Sequence, residues 1–417
     1  MQGRFSAAVH GVEYFIDALG FKRFAFALSF LVVLAAVIRA STTGLFYDEA
    51  FTYLHYARVG NFLGGGQVLN NHPLNTILIY ILEVVSGDRY NDFIIRLPNL
   101  IFYGFYCYGA YLISFKLKFR YLIFSLFILN YSLFQFFYQA RGYGIATSCI
   151  MLACYFFIEF INNEVRSKFD CFILFSSLAV LANGICIYIT ASLLIACYFG
   201  NRSFFYIKNY IYEIIIYCSV CIGMGCFMFY VTRAGYPIHS GGYEMFFLGI
   251  GNEIFFKVKF LSLIFSVSIC AVLCYSLLFG QKPLFTYACV IYVMLAVAGH
   301  LATGRGFPID RVLLPFYPLV ICAVAYGIQS LKIHKYISFF CILILSITFL
   351  SQFFLIRETY MSGISKRDEV RAYLFSNALP LTDDMKKNIS TIINGHPSGD
   401  YYFEKYKYLK NKYNKEN

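Results

Sequence analysis

Long apolar runs, separated by short polar stretches, recur along the chain from Phe24 to Ile356. A run of roughly 18 or more apolar residues is a candidate membrane span, because about 20 helical residues cross a ~30 Å hydrocarbon core. Helices are the expected spanning element, since every backbone polar group in lipid must be satisfied internally. The pattern therefore predicts an all-α polytopic membrane protein.

Basic residues between the apolar runs predict the orientation. Lys22 and Arg23 precede the first run, and three basic residues within 116–120 separate two later runs. Because Lys and Arg are enriched in cytoplasmic loops, we expect the N-terminus and the 116–120 segment to be cytoplasmic. No small-x-small cleavage site closes the first run, so we interpret it as an uncleaved span.

Continuing this alternation predicts nine to eleven spans in a membrane body, with a polar tail on the outer side. The segment 74–86 is too short to span comfortably. It is interfacial or re-entrant in the preferred interpretation, and a short span that reverses the later topology in the other. The membrane body is 1–356 and the tail is 357–417. Outer loops are expected at 41–72, 232–259 and 302–311. The apolar segment 170–200 is broken by Asn183-Gly184, so it is a hairpin of short spans or a re-entrant loop.

Composition supports this class and excludes others. Charged residues make up 13% of the chain, against about 25% in soluble domains. The net charge of +12 comes from clusters that act as topology signals, so nucleic-acid binding is not expected. All 14 cysteines fall in apolar segments, where cysteine behaves as a small hydrophobe. We predict neither a metal site nor a disulfide framework.

Two candidate chemical groups lie just after the first run. Asp48 and Glu49 are adjacent carboxylates flanked by aromatic residues, an arrangement that can activate a hydroxyl or bind a cation. The alternative is that Asp48 caps an interfacial helix. His72 precedes Pro73, which suits a first helical turn, and it can donate to an anion gathered there. The alternative for His72 is a solvated turn.

Arginines supply the complementary charge. Arg141 lies between two predicted spans, where an arginine is costly unless it pairs; its planar fork suits phosphate, and pairing with Asp48 or Glu49 is the compatible alternative. Arg305 and Arg311 on a glycine-bearing loop form a second candidate anion clamp, with headgroup anchoring by Arg311 as the alternative. Candidate substrate contacts are Tyr47, Asn71, Tyr143, Arg233, His239 and Glu244.

Five short motifs in order carry a family resemblance. They are Tyr47-Asp48-Glu49-Ala50, His72-Pro73-Leu74, Arg96-Leu97-Pro98, the 140–143 box and the 311–315 span start. Together they resemble the membrane glycosyltransferase superfamily with the GT-C fold, which includes protein mannosyltransferases and lipid A aminoarabinose transferases. The likeness covers most of the first 160 residues and the 305–318 region. Size and apolarity are also similar to the phage- and prophage-borne, serotype-converting O-antigen glucosyltransferases.

The resemblance implies a GT-C-like bundle that moves a sugar from a polyprenyl monophosphate to a hydroxyl. Asp48 and Glu49 would be the catalytic residues, with Asp48 as the base and Glu49 as its neighbour. The phosphate ligands would be His72, Arg141, Arg305 and Arg311. The favoured donor is undecaprenyl-phosphate glucose and the favoured acceptor O-antigen or lipopolysaccharide, though a different polysaccharide, a lipid or a protein stays open. No cofactor is expected, and a divalent-metal requirement is left open.

The implied setting is the bacterial inner membrane, with the N-terminus cytoplasmic and the active site and C-terminus periplasmic. Membrane lipids, a polyprenyl-phosphate sugar synthase and a flippase are the expected partners. The chain departs from the mannosyltransferases in being shorter, lacking their soluble insert and having one Pro after His72. Two alternatives of other classes stay open: an O-antigen polymerase or ligase, and a transporter or flippase of lipid-linked saccharides.

Overall fold

The computed structural model describes residues 2–63, 71–200, 210–233, 240–241, 259–279, 284–303, 307–308, 310–330, 336–354, 404 and 408. These residues are helical almost throughout. The exception is a two-residue antiparallel pairing, in which Ser240–Gly241 (β1) lies beside Phe307–Pro308 (β2). The predicted helical class is confirmed, and the apolar helices are compatible with a helical membrane protein.

The helices divide into a first half that forms the candidate site and a second half that packs around it. The first half comprises α1 Gln2–Thr42, α2 Tyr47–Thr52, a π-helical turn Tyr53–Ala57, α3 Pro73–Ser86, α4 Asp92–Phe115, α5 Arg120–Ile128, α6 Tyr131–Phe137 and α7 Gly142–Asn163. The second half comprises α8 Arg166–Ala182, α9 Cys186–Gly200, α10 Ile211–Arg233, α11 Lys259–Phe279, α12 Leu284–Thr303, a 3₁₀ helix Asp310–Phe316, α13 Tyr317–Gly327, a 3₁₀ turn Ile328–Ser330 and α14 Tyr336–Phe354.

Within the described residues, five helical segments are long and apolar enough to cross a membrane, and the bent pair α5–α6 makes a sixth. Among the described residues this is fewer than the predicted nine to eleven spans, because the prediction counted every apolar run as a span. Four further apolar helices have only 10–17 described residues. The five segments are Gly20–Thr42, Gly142–Asn163, Ile211–Met228, Leu284–Leu301 and Tyr336–Phe354.

Two ion pairs mark opposite ends of the bundle. Arg141, immediately before α7, pairs with Asp48, whereas Glu159 near the end of α7 pairs with Lys116, which directly follows α4. The 22 residues of α7 rise about 33 Å, which is a membrane thickness. The Asp48 face and the basic 116–120 face therefore lie on opposite sides of the bundle.

The predicted straight span over 121–138 is instead two helices bent by 57°. The break falls at Leu129 and Asn130, where the Asn130 side chain accepts a hydrogen bond from the Leu133 amide at 3.1 Å. Asparagine is a favoured N-cap because its side chain satisfies an otherwise unbonded amide. The pair still runs from the 116–120 face to Arg141, so it traverses the same depth as α7.

α3 stays on the Asp48 face. Its 14 residues extend about 21 Å, which is less than the hydrocarbon core. Near its start, Asn75 donates to the Ala140 carbonyl at 3.2 Å, and near its end Glu83 accepts from the Tyr53 hydroxyl. Contacts at both ends with the same face favour the interfacial interpretation of 74–86.

Residues 170–200 form a helical hairpin of α8 and α9. The turn between them begins at Asn183, whose side chain accepts from the Ile185 amide at 3.3 Å. The carbonyl of Ala182, at the tip, accepts from His72 Nδ1 at 3.0 Å. The tip therefore reaches the Asp48 face.

Candidate functional site

A buried ion pair anchors the segment that follows α1. Arg96 donates to Glu49 through Nε at 2.9 Å and through Nη2 at 2.7 Å, and both side chains are 0% exposed. Bidentate pairing of this kind fixes geometry as well as charge. Arg96 comes from the first turns of α4 and Glu49 from α2, so the pair ties α2 to the bundle.

The same arginine closes the end of α1. Arg96 Nη1 donates to the carbonyls of Ala40 at 3.0 Å and Thr43 at 2.6 Å, and Nη2 donates to Gly44 at 2.8 Å. The last carbonyls of a helix lack intrahelical partners, and a basic side chain can satisfy them. One guanidinium thus fixes where α1 ends and where α2 begins.

Glu49 uses its remaining acceptor capacity on backbone amides. Oε2 accepts from the Phe46 amide at 2.8 Å, which caps α2, and Oε1 accepts from the Ala140 amide at 2.5 Å. The Ala140 carbonyl is held by Asn75, which in turn accepts from Asn99 at 2.8 Å. Both polar backbone groups of Ala140, next to Arg141, are therefore fixed by buried side chains.

Asp48 and Arg141 form the second ion pair. Arg141 Nη1 lies 2.5 Å from Asp48 Oδ2, with the arginine side chain 6% exposed and the aspartate 20% exposed. The guanidinium also lies 5.4 Å from the centre of the Tyr143 ring and 5.9 Å from that of Phe136. Of the two neighbouring carboxylates, Asp48 is thus the more open to water and the one that faces the arginine.

His72 and Tyr143 continue this cluster. Their rings contact edge to face, with centroids 5.0 Å apart. Asn71 shapes the turn before α3, because it donates to the Phe62 carbonyl at 2.8 Å and accepts from Thr76 at 2.9 Å. His72, Arg141 and Tyr143 therefore lie together with Asp48.

Gly142 allows three segments to meet at this point. A Cβ atom built there would lie 2.5 Å from the Cβ of His72 and would also overlap the Ala182 carbonyl oxygen. Real Cβ atoms do not approach other atoms so closely, and both obstacles are held by a hydrogen bond. The site thus requires glycine directly after Arg141.

A second polar cluster lies beside the ion pairs. The Tyr53 hydroxyl donates to Glu83, and the Tyr90 amide approaches Glu83 Oε1 at 3.3 Å. Burial raises the pKa of Glu83 above its ordinary value, and it also raises the pKa of Tyr53, helped by the adjacent Glu83.

The C-terminal tail meets the chain at this cluster. Glu404 lies 3.6 Å from Arg58, and the ring of Tyr408 lies 5.6 Å from that of Tyr90. Residues 404 and 408 are therefore on the Asp48 face.

The predicted second anion clamp lies on the 302–311 segment, which is described in part. The 3₁₀ helix Asp310–Phe316 contains the Arg311 backbone, and its Leu314 packs against Phe136 and Tyr143. The segment with Arg311 therefore approaches the cluster. Arg305, His239 and Glu244 lie outside the described residues, as do the side chains of Tyr47, Arg233 and Arg311.

Sequence reasoning passed over the polar residues that hold the site. Arg96 appeared only within a motif, while Asn75 and Asn99 were not singled out, yet all three are fully buried. A signal was present, because polar side chains within apolar membrane helices are costly and mark specific partners. Within the described ranges, no group of three or more His, Cys, Asp or Glu residues could hold a metal ion.

Comparisons with protein-family models, curated proteins and solved structures give no match. The likeness to the GT-C glycosyltransferases therefore depends on the five motifs alone. The geometry adds that four of those motifs, at 47–50, 72–74, 96–98 and 140–143, meet at one face, because Arg96 pairs with Glu49, Asp48 with Arg141 and His72 with Tyr143.

Proposed function

We propose that the protein is a membrane glycosyltransferase that moves a sugar from a polyprenyl monophosphate to an acceptor hydroxyl. The observation that carries this proposal is the Asp48–Arg141 pair, a partly open carboxylate facing a cation on one face of an apolar bundle. Undecaprenyl-phosphate glucose is the proposed donor and O-antigen or lipopolysaccharide the proposed acceptor. The proposed location is the periplasmic face of a bacterial inner membrane.

In the proposed reaction, the Asp48 carboxylate takes the proton of the acceptor hydroxyl. The acceptor oxygen forms a bond to the anomeric carbon, and the bond from that carbon to the phosphate oxygen breaks. The electron pair leaves on the polyprenyl phosphate, whose charge Arg141 neutralises. A positioned general base typically contributes about 10²–10⁴-fold to the rate.

The ion pair also suggests how donor binding prepares the base. Without a donor, Asp48 and Arg141 neutralise one another. A phosphate offers the planar guanidinium a bidentate partner, so donor binding competes with Asp48 for Arg141. The carboxylate is then released towards the acceptor only when the donor is in place, which limits loss of the sugar to water.

The roles of the other residues follow from their contacts. Glu49 is committed to Arg96 and to two backbone amides, which favours an anchoring part for it over the catalytic part predicted from sequence. Arg311, with Arg305 on the same loop, is proposed as a further ligand of the donor phosphate. His72 lines the cluster through Tyr143.

The test is transfer by purified protein in liposomes with undecaprenyl-phosphate glucose and a defined acceptor. Asp48→Asn should lower the rate at least 100-fold while leaving folding intact, because it removes the base and preserves shape. Asp88→Asn is the matched control, because this loop carboxylate accepts from the Asn91 side chain at 2.6 Å, whereas Asp48 is paired with Arg141. Arg141→Lys should raise the donor KM, since lysine lacks the planar fork.

Three results would contradict the proposal. Near-normal transfer by a well-folded Asp48→Asn variant removes the assigned base. Transfer only from a pyrophosphate-linked oligosaccharide identifies a polymerase or ligase. Movement of an intact lipid-linked saccharide across the bilayer without product identifies a transporter.

A further inference from the structure

A lateral groove lies between α1 and α4, away from the Asp48–Arg141 pair. Its volume is about 390 Å³, and aromatic and small residues form its walls. Among its described lining residues, Lys22 alone is charged. The residues used below are Lys22, Phe26, Ser29, Val33, Gly104 and Tyr108.

The groove has the depth of one membrane leaflet. Its α1 wall runs from Lys22 to Val33, a rise of about 16 Å at 1.5 Å per residue. That is about half of a ~30 Å hydrocarbon core. A single acyl chain that enters from one surface therefore matches its length.

The leaflet is the one opposite the candidate transfer site. Lys22 precedes Thr43, whose carbonyl accepts from Arg96, by 21 residues, or about 31 Å of helix. Lys22 is thus a membrane thickness from the Glu49–Arg96 pair. A donor phosphate held by Arg141 cannot also contact Lys22.

The Lys22 end of the groove is basic. Arg23 follows Lys22 and is exposed, and the Arg120 guanidinium lies 5.5 Å from the centre of the Phe21 ring, beside the groove. Lys118 is exposed on the same face, whereas Lys116 is paired with Glu159. Clusters of this kind at the mouth of a gap between membrane helices favour anionic headgroups.

We propose that this groove binds an anionic glycerophospholipid of the leaflet on the 116–120 side. One acyl chain lies along Phe26, Val33 and Tyr108, and the phosphate is held at Lys22 with Arg23 and Arg120 beside it. This lipid is a structural ligand, distinct from the sugar donor. The inference does not depend on the proposed transfer reaction.

The probe is phosphatidylglycerol with a photoreactive diazirine at the middle of one acyl chain, in nanodiscs with the purified full-length protein. Phosphatidylcholine with the same chain is the neutral comparison. Peptide mapping should place phosphatidylglycerol adducts on α1 and α4, at least fivefold above those of phosphatidylcholine.

Two variants separate the chain from the headgroup. A Cβ at Gly104 meets no atom within 4 Å, so a side chain can start into the groove there. We expect Gly104→Leu to fill part of the groove and to lower α1 and α4 labelling by both lipids several-fold. Gly223→Leu on α10, where a Cβ also meets nothing, is the matched control. Ser29→Leu narrows the groove from α1 and gives an independent second measurement.

Lys22→Gln should remove the preference for phosphatidylglycerol and leave phosphatidylcholine labelling unchanged. Lys168→Gln, at the same end of the bundle but on α8, should preserve the preference. Equal labelling by both lipids in the unaltered protein overturns the headgroup assignment. Undiminished labelling in folded Gly104→Leu and Ser29→Leu overturns the groove as the site.

Discussion

Removal of one member of the Glu49–Arg96 pair should destabilise the protein far more than removal of a surface charge. Both side chains are 0% exposed, so Arg96→Met leaves Glu49 as a buried charge without its main partner. Breaking a buried pair in this way costs about 3–5 kcal/mol. Glu49→Gln keeps the shape but leaves Arg96 uncompensated, and we expect a loss of similar size.

The matched control is Arg58→Met. Arg58 pairs with Glu404 at 3.6 Å, and both side chains are 35% exposed; a surface pair of this kind contributes at most about 1 kcal/mol. Equilibrium unfolding of the purified protein in mixed micelles measures the free energy of unfolding. The measurement is made on Arg96→Met, Glu49→Gln, the double variant that combines them, and Arg58→Met. The loss of stability in the Arg96→Met/Glu49→Gln double variant should be about 2 kcal/mol smaller than the sum of the two single losses, because directly contacting residues couple.

The stabilising role of the Glu49–Arg96 pair is refuted if Arg96→Met lowers the free energy of unfolding no more than Arg58→Met does. It is also refuted if the losses from Arg96→Met and Glu49→Gln are additive. The same variants separate anchoring from catalysis. At a temperature where Glu49→Gln is folded, its transfer rate per folded molecule should stay within about tenfold of the unaltered protein, below the factor expected for a general base. A larger loss of transfer rate per folded molecule would indicate that Glu49 has a catalytic role.

Two further predictions concern neighbouring positions. Gly142→Ala should lower the unfolding midpoint and the transfer rate, because its Cβ would lie 2.5 Å from that of His72; Gly104→Ala, at an open position, is the control, and equal behaviour of the two would contradict the tight junction. Glu83→Gln should flatten the pH dependence of stability: burial raises the pKa of Glu83, so the folded state binds more protons than the unfolded state, and stability falls as pH rises from about 4.5 through the raised pKa. A slope unchanged in Glu83→Gln, measured from unfolding midpoints at pH 4 to 8, would show that another group is responsible.

The helical class could be predicted because apolar runs in this chain are long and charges few. Asp48 and Arg141 were singled out for the same reason: in so apolar a chain, each charged outer residue needs a partner. Their pairing was one of two stated alternatives, and the structure shows it. The sequence could not indicate that Arg141 pairs with Asp48 and that Arg96 pairs with Glu49, because either arginine could have paired with either carboxylate.

The support around the site was harder to predict. α3 and α4 are amphipathic, but such a pattern indicates only which face of a helix is buried. It does not indicate that Asn75 on one helix faces Asn99 on the other. The bend at Asn130 was missed because one polar residue interrupts an otherwise continuous run of suitable length. Its role as a helix cap, in which the side chain accepts from the Leu133 amide, becomes clear only from the structure, where a new helix begins after Asn130.

The site is assembled from contacts that are widely separated in the chain, and this sets an order for its biogenesis. Glu49 meets Arg96 after 47 further residues and Ala140 after 91, whereas His72 obtains the Ala182 carbonyl only after 110. A nascent chain therefore secures its anchoring carboxylate early in membrane insertion. The histidine is fixed later, when the α8–α9 hairpin has entered the bilayer, so the enclosure is completed from the carboxylate side first.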